Sequence, residues 1–287
     1  YWGKIWRETG THDPYECREA FEDEVKASDK KAVRPSEQHV VDAIMATGNT
    51  SAGPDGIPFV AYRVLVDKVA PILRRVFGEL AAGVLPPRGF NYANLFLLPK
   101  KLTMLIEHTR PISVTNADNR ILAKVLVASI IGAVKERLHK AQKGSISGYQ
   151  GTDHIRELTE AFYTAVDNGT SYHVLFCDTK KAFDSIHHRF IFGALRRMGL
   201  PEWVVNVMKG FLSEVEATPV FGSYTGIWIA ITRGVKQGCP SSPIVFAICL
   251  DVLIDKLDKV TGIGSDLCAT AATTINSVVL AAIPFTI

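Results

Sequence analysis

An aspartate at the end of a buried strand is the residue of this chain whose position most strongly suggests chemistry. Residues 172–177 form a nearly unbroken apolar run of strand length, which predicts a strand covered on both faces, and Asp178 follows it. A carboxylate there costs free energy unless something binds it, so Asp178 is either a ligand or a residue of a strand-end turn. Asp184 precedes apolar residues at helical spacing, and we interpret it as a helix N-cap.

Basic residues are concentrated in one part of the chain. Residues 95–145 hold nine Lys and Arg against three Asp and Glu, a surplus larger than the net charge of +3 of the whole chain. A local positive field of this kind suits a partner that bears phosphates. The alternative is a helix face that is simply solvated.

Length and composition indicate an ordinary globular chain. Its 287 residues, 47% hydrophobic and 21% charged, suffice for one large domain or two smaller ones and exclude a disordered protein. The start at Tyr1 rather than Met predicts a fragment or a processed piece, without a signal peptide. Five cysteines, odd in number and without a CxxC pair, predict reduced thiols, no disulfide partner, no zinc site and an intracellular protein of the nucleus or cytoplasm.

Apolar periodicity and turn residues predict the elements of the first half. Ser36 is expected to cap a helix, and Gly-Pro-Asp-Gly within residues 48–56 predicts a loop. The further elements expected here are a helix over 59–80 interrupted near Pro71, strands over 92–98 and 110–114, and an amphipathic helix over 120–138.

The second half is expected to hold further helices, a hairpin and an apolar tail. The predicted elements are a helix capped by Asp153, a helix over 203–212, hairpin strands over 216–221 and 227–232, and a buried helix over 244–254. Residues 267–287 carry no charge and are about long enough to cross a membrane. Because basic flanks are absent, we predict a core segment or a non-native tail, and no membrane.

Four stretches, in this order, resemble a reverse transcriptase of the non-LTR (LINE-like) retrotransposon kind. They are GPDGIP at 53–58, LLPKK…RPIS at 97–113, FCDTKKAFDSIHH at 176–188 and RGVKQGCPSSP at 233–243. The resemblance implies an α+β right-hand polymerase fold with fingers and palm, in which helices pack on the palm sheet and the thumb lies beyond Ile287. The implied divisions are an N-terminal extension over 1–50, fingers over 51–150, palm over 151–266 and an apolar tail over 267–287.

The resemblance also implies a magnesium site. Asp178 matches the aspartate that binds both catalytic ions, which phosphoryl transfer needs about 3.5–4 Å apart. The family's Asp-Asp hairpin corresponds to GIGSDLCAT at 262–270, where Ser265 and Asp266 stand in place of two aspartates. Asp266 is then the second expected ligand. Because a neutral hydroxyl cannot replace a carboxylate opposite Mg²⁺, we predict little or no activity for this chain by itself.

Other matched positions concern the incoming nucleotide. The residues that the resemblance assigns to it are Lys100, Lys101, Arg110, Phe183, Gln237 and Gly238. The basic residues would hold the triphosphate, with Lys101 as a second candidate beside Lys100. Phe183 would be the steric gate that collides with a ribose 2′-OH, or else a core aromatic. The Gln-Gly pair would lie against the nascent base pair, where glycine permits close backbone approach.

The function that the resemblance implies is RNA-directed DNA synthesis by a module of a longer polyprotein. Its partners would be an RNA template, a DNA primer and deoxynucleoside triphosphates. Two alternatives stay open: a non-catalytic remnant that at most binds nucleic acid, and a relative of group II intron maturases or telomerase, which share the palm.

Overall fold

The fold is described from a computed structural model. The structure describes residues 1–7, 21, 25–100, 105–142, 144, 151–169, 173–175, 181–258 and 278–280. The chain divides into two compact units, which are treated one at a time. Unit 1 comprises Tyr1–Arg137 and Lys181–Phe246, and unit 2 comprises Leu138–Lys180 and Ala247–Ile287.

A mixed sheet lies at the centre of unit 1. Its strands are β1 (Ala93–Pro99), β2 (Thr109–Thr115), β4 (Glu216–Phe221), β5 (Tyr224–Thr225) and β6 (Ile229–Ala230). The order is β2-β1-β4-β5, and β6 also pairs with β4. β1 runs antiparallel to β2, with Ala93 opposite Thr115 and Pro99 opposite Thr109, and runs parallel to β4. The predicted strands β1, β2 and β4 are confirmed. Of the strand predicted over 227–232, only Ile229–Ala230 pairs with β4, and Tyr224–Thr225, expected in the turn, forms β5.

Helices make up most of the rest of unit 1. They are α1 (Trp2–Arg7), α2 (Glu37–Met45), α3 (Phe59–Val64), α4 (Val66–Ala82), α5 (Ala117–Arg137), α7 (Ala182–Ser185), α8 (His188–Arg197) and α9 (Glu202–Leu212). Ser36 caps α2 as expected, within a capping box that His39 completes. Gly83, at a φ of 95°, ends α4 in the left-handed conformation that glycine adopts without strain.

Two helix predictions require correction. The predicted interruption near Pro71 is wrong, because the break falls at Leu65 and α4 continues through the proline. A proline in a helix removes one backbone hydrogen bond, which the packed apolar face of α4 outweighs. The helix predicted to be amphipathic, α5, is buried over most of its surface, and its burial extends to Asn119 and Arg120.

Polar groups on α5 are buried because other segments of unit 1 supply their partners. The Arg120 guanidinium donates to Thr50 Oγ1 at 3.1 Å and to the Ser51 carbonyl at 2.6 Å, and lies over the Phe59 ring. Asn119 Nδ2 donates to Asn91 Oδ1 at 3.0 Å. These bonds compensate part of the desolvation that buried polar groups otherwise suffer, while Asn119 Oδ1 and Arg120 Nε have no hydrogen-bond partner among the described residues.

The N-terminal helix packs on the sheet and completes part of the core. Its two tryptophans, Trp2 and Trp6, are each only 3% exposed and stack on one another. Around them lie the buried residues Ala93, Leu95, Val215, Ala217 and Ile231. Burial on this scale is the main source of stabilisation that a short helix such as α1 can obtain.

Unit 2 contains α6 (Gly151–Asp167) and strands β3 (His173–Leu175) and β7 (Val278–Leu280), which pair in parallel. Asp153 lies in the first turn of α6 rather than at its N-cap, because the helix begins at Gly151. The buried helix predicted over 244–254 is α10 (Ser242–Asp258), which begins in unit 1 and continues into unit 2. Within unit 2, Asp251 of α10 accepts a bond of 2.7 Å from the backbone of His139.

Two further observations concern membrane-spanning helices and the thiols. In the part of the chain that the structure describes, no helix is both long and apolar enough to cross a membrane. Cys239 and Cys249 are free and buried, and burial raises the pKa of the Cys249 thiol to about 12.

Candidate nucleotide site

The loop that carries Gln237 is joined to the segment that carries Phe183 by backbone hydrogen bonds. Gly234 N donates to the Ile186 carbonyl, and Val235 N donates to the Phe183 carbonyl, both at 2.7 Å. Gly234 has a φ of 81°, and a Cβ on it would lie 2.7 Å from the Phe183 carbonyl oxygen. Two stretches about fifty residues apart in sequence are therefore held in fixed register, and a side chain at Gly234 would separate them.

The same loop also docks on strand β2. Ser113 N donates to the Gln237 carbonyl at 2.7 Å. The next residue, Gly238, has a φ of 106°, and a Cβ there would lie 2.8 Å from the Ser113 carbonyl oxygen. Only glycine meets both conditions without strain. The close backbone approach that the sequence predicted for Gly238 is thus made to the RPIS strand of the protein itself.

Asp184 lies between these segments, and its predicted role as an N-cap is wrong. It is inside the short helix α7 and is only 4% exposed. Ile186 then adopts an extended conformation, and α8 begins two residues later with His187 as its N-cap, whose ring accepts from Arg189 N. Apolar spacing after residue 190 is compatible with either start, which explains the error.

Both carboxylate oxygens of Asp184 accept hydrogen bonds. Gln237 Nε2 donates to Oδ2 at 2.7 Å, and Trp6 Nε1 donates to Oδ1 at 3.4 Å. Burial raises the pKa of Asp184 to about 6, while these two bonds and the charges of Lys181 and Lys100 act in the opposite direction. Asp184 is therefore mostly ionised at neutral pH and is then an acceptor only.

The two cationic residues expected to bind phosphate lie at one end of the β1–β2 hairpin. Arg110 is opposite Leu98 in the register, and Lys100 N donates to the His108 carbonyl at 2.8 Å. Lys100 is exposed and Arg110 is half-buried. The positive charge of Lys100 acts to lower the pKa of Asp184.

Phe183 contacts another aromatic ring. Its ring stacks on that of Phe246, with centroids 4.5 Å apart and an angle of 15° between the planes. It is half-buried rather than enclosed. The contact agrees with the interpretation of Phe183 as a packed aromatic, and it also fixes the ring, which a steric gate would require.

Helix α1 reaches the same region, which the sequence did not reveal. Trp2 Nε1 donates to Thr109 Oγ1 at 3.1 Å, beside Arg110. The Lys181 ammonium lies 3.7 Å from the centroid of the Tyr1 ring and 4.0 Å from that of Trp2. Two tryptophans four residues apart signal a packed helix face, but nothing in the sequence identifies partners so distant along the chain.

Lys236, the neighbour of Gln237, is buried and was not singled out from the sequence. Its ammonium donates to Asn91 Oδ1 and to the Phe211 carbonyl, each at 3.3 Å. Burial lowers the pKa of Lys236 to about 8. No ion pair with a carboxylate is recorded for it among the described residues, so the lysine is held by neutral acceptors.

Sequence comparison identifies the protein family. The family model described as "Reverse transcriptase (RNA-dependent DNA polymerase)" matches residues 98–271, more than half of the chain.

The chain belongs to the reverse transcriptase family.

Relatives of this reverse transcriptase domain are proteins of retrotransposable elements. It is 36% identical to the Pol polyprotein of a type-1 R2 element of Popillia japonica over 55% of the chain and 22% of that protein. Identity to the R2 polyprotein of Nasonia vitripennis is 28% over 81% of the chain and 22% of that protein. A 149 kDa protein of transposon TX1 of Xenopus laevis is 27% identical over 74% of the chain and 16% of that protein.

These comparisons confirm a reverse transcriptase domain of the non-LTR retrotransposon kind. The chain spans about a fifth of the length of these relatives, so it corresponds to a part of such proteins. The mixed architecture of sheet and helices is consistent with the family, whereas the predicted boundaries between extension, fingers, palm and tail stay a prediction.

Three of the predicted site residues of this reverse transcriptase domain, Asp178, Asp266 and Lys101, lie outside the described residues. Among the residues that the structure describes, no group of three or more His, Cys, Asp or Glu could hold a metal ion. The magnesium site is therefore still a prediction that depends on Asp178 and Asp266. Lys100, Arg110, Gln237 and Gly238, by contrast, all lie in unit 1 and on segments that are linked to one another.

Proposed function

We propose that this domain is an RNA-directed DNA polymerase module, which extends a DNA primer on an RNA template with deoxynucleoside triphosphates. The observation that carries the proposal is the docking of the Gln237–Gly238 loop on both β2 and the Phe183 segment. Three of the four family motifs thereby form one hydrogen-bonded assembly. In the proposed arrangement of fingers and palm, this assembly binds the incoming nucleotide inside the cell.

The basic residues have the role of binding the triphosphate. Lys100 and Arg110 lie at one end of a hairpin, where their charges can act on a single polyphosphate, and Lys101 adjoins them in sequence. Fixed cations beside a transferring phosphoryl group lower the barrier because charge develops there in the transition state. Arg110 is held by a paired strand, so its backbone needs no reorganisation during the reaction.

Phe183 has the role of selecting deoxynucleotides. A ring held by stacking on Phe246 cannot move aside for a 2′-OH without losing that contact. Phe183→Val should therefore increase the incorporation of ribonucleotides relative to deoxynucleotides. Phe246→Val removes the same stack and leaves the Phe183 ring present but no longer held, so it should give a smaller increase. An unchanged ratio of ribonucleotide to deoxynucleotide incorporation in Phe183→Val would refute the gate.

Metal binding is assigned to Asp178 and Asp266. When bound there, Mg²⁺ would supply electrostatic stabilisation of the pentavalent phosphoryl group. The donor set fits this ion only in part, since Ser265 offers a neutral hydroxyl where the family has a carboxylate. We therefore expect the chain to be weakly active or inactive, and Ser265→Asp to increase its activity.

Primer extension on an RNA template with dNTPs and Mg²⁺ tests the proposal. We expect weak extension by the wild type, faster extension by Ser265→Asp, and none by Asp178→Asn in either background. Extension that persists in Asp178→Asn would refute the assigned metal ligand. If the Ser265→Asp variant also fails to extend the primer, and the chain binds RNA in a salt-dependent manner, the alternative function is supported, that of a non-catalytic remnant that binds nucleic acid.

A further inference from the structure

Asp184 holds the side chain of Gln237 in one orientation. Gln237 Nε2 donates to Asp184 Oδ2 at 2.7 Å, a bond of charge-assisted length. A carboxylate has no proton to give, so the amide must turn its nitrogen toward Asp184. Its oxygen, Oε1, is then directed away from Asp184. The nitrogen and oxygen of an amide have nearly the same shape, so their assignment here follows from the carboxylate partner, which can only accept.

The backbone of Gln237 is fixed independently of its side chain. Its carbonyl accepts from Ser113 N, and the preceding residues are tied to the Phe183 segment through Val235 N. Lys236 adds an anchor on the other side through Asn91 and the Phe211 carbonyl. What remains free in Gln237 is the rotation of its side chain, and the bond to Asp184 removes that freedom.

Asp184 is in turn held by the N-terminal helix. Its second oxygen accepts from Trp6 Nε1 at 3.4 Å. Trp6 is itself fixed, because its carbonyl accepts from Thr232 Oγ1 at 2.6 Å and its ring stacks on Trp2. The orientation of Gln237 therefore depends on a residue more than two hundred positions earlier in the chain.

We propose that Asp184 is a positioning residue for the incoming nucleotide, which orients the Gln237 amide so that Oε1 is the group presented to the nucleotide, and that Trp6 holds Asp184 in place. The inference rests on the proposed function, since the nucleotide contact of Gln237 belongs to that proposal. It predicts specifically that Gln237 presents a hydrogen-bond acceptor, and not a donor, to the nucleotide. In Asp184→Asn, the remaining side-chain oxygen accepts from Trp6 Nε1, which can only donate, so the new amide nitrogen faces Gln237. The glutamine then rotates and presents its nitrogen to the nucleotide.

Steady-state kinetics of dNTP incorporation separate positioning from general stability. In the more active of the wild-type and Ser265→Asp backgrounds, Asp184→Asn should raise the KM for dNTP about tenfold, the value of a hydrogen bond to a charged group, and change kcat less. Trp6→Phe should raise that KM about threefold, because it removes the weaker bond. Trp2→Phe is the matched control: it keeps an aromatic ring that can stack on Trp6, at a position of equal burial on the same helix, and removes a donor that is bonded to Thr109 rather than to Asp184.

An NMR experiment tests the pair without requiring catalysis. In protein labelled with ¹⁵N-glutamine, the side-chain amide of Gln237, assigned by its loss in Gln237→Met, should show a downfield proton donated to a carboxylate. Asp184→Asn should move it to the position of an ordinary amide, and Trp2→Phe should leave it in place. Titration with dTTP should shift this resonance, and Asp184→Asn should need about ten times more dTTP for the same shift.

The outcomes separate the two proposals. If no background extends primers but the resonance responds to Asp184→Asn and to dTTP as described, polymerase activity is refuted and the positioning role stands. If primers are extended and Asp184→Asn changes neither the KM nor the resonance, the positioning role is refuted and the polymerase stands. Equal effects of Trp6→Phe and Trp2→Phe on the KM would refute the part assigned to Trp6.

Discussion

Gly238→Ala should separate the Gln237 loop from strand β2. The new Cβ would lie 2.8 Å from the Ser113 carbonyl oxygen, a backbone atom that cannot rotate away. Alanine at a φ of 106° also costs about 1–2 kcal/mol, and weakening of the bond from Ser113 N to Gln237 O adds about 0.5–1.5 kcal/mol. The expected loss in free energy of unfolding is therefore about 1.5–3.5 kcal/mol.

Gly222→Ala is the matched control for this substitution. Gly222 also has a positive φ, of 61°, but nothing lies within 4 Å of a Cβ built there. It should therefore lose only about 1 kcal/mol from backbone strain. The difference between the two variants measures the close approach to β2 separately from the cost of the left-handed conformation.

Chemical denaturation of the two variants gives the global effect, and hydrogen exchange gives the local one. The Ser113 amide should exchange faster in Gly238→Ala and at the wild-type rate in Gly222→Ala, because only the first substitution disturbs its acceptor. Equal stabilities of the two variants, or an unchanged Ser113 exchange rate in Gly238→Ala, would refute the docking of the loop on β2. Primer extension should fall in Gly238→Ala and not in Gly222→Ala.

Three pH-dependence predictions follow from buried ionisable groups, each measured by urea denaturation of the wild type and one variant across pH. Because the pKa of Lys236 is lowered from 10.5 to about 8, the wild type should lose roughly 3 kcal/mol as pH falls from 10.5 to 8, and Lys236→Met should not. The pKa of His188 is lowered from 6.5 to about 4, so the wild type should lose stability between those values on acidification, and His188→Gln should resist. The pKa of Asp184 is raised from 3.8 to about 6, so its contribution to the free energy of unfolding is full below pH 3.8 and is lost as pH rises to 6. On acidification this gain offsets part of the loss caused by His188, so Asp184→Asn, which lacks the gain, should lose stability more steeply than the wild type. A variant whose pH profile runs parallel to that of the wild type would contradict the corresponding assignment.

Local features of the fold could be predicted because the atoms that cause them are adjacent in sequence. The cap of α2 by Ser36 involves His39, three residues on, and the end of α4 depends on the freedom of Gly83 alone. Strands β1 and β2 were also predictable from their apolar residues, and Pro99 marks the end of β1. In each case the interaction that decides the structure spans only a few residues.

The candidate site could be predicted in part for the same reason. Its motif residues could be named from resemblance, but the role of Asp184 could not, since its two partners lie 53 and 178 residues away. An aspartate that caps a helix and an aspartate that is buried and bonded to distant side chains cannot be told apart from the neighbouring sequence. Burial of Asn119 and Arg120 on α5 was missed for a related reason. Polar residues in a helix predict an exposed face unless their distant hydrogen-bond partners are known.

The features that contradict local expectation are concentrated around Gln237. Asp184, which accepts from the Gln237 side chain, and Lys236, which precedes Gln237 in sequence, are both buried, although burial removes the hydration of each charge. Glycines at 234 and 238 bring backbone against backbone, which excludes side chains that would otherwise add to the core. Hydrophobic residues in these positions would bury more apolar surface, but they could not fix the direction of one amide. Fixing that direction is the physical reason to place two desolvated charges, and two turns that only glycine forms without strain, around a single glutamine. It favours a binding role for this loop over a purely structural one.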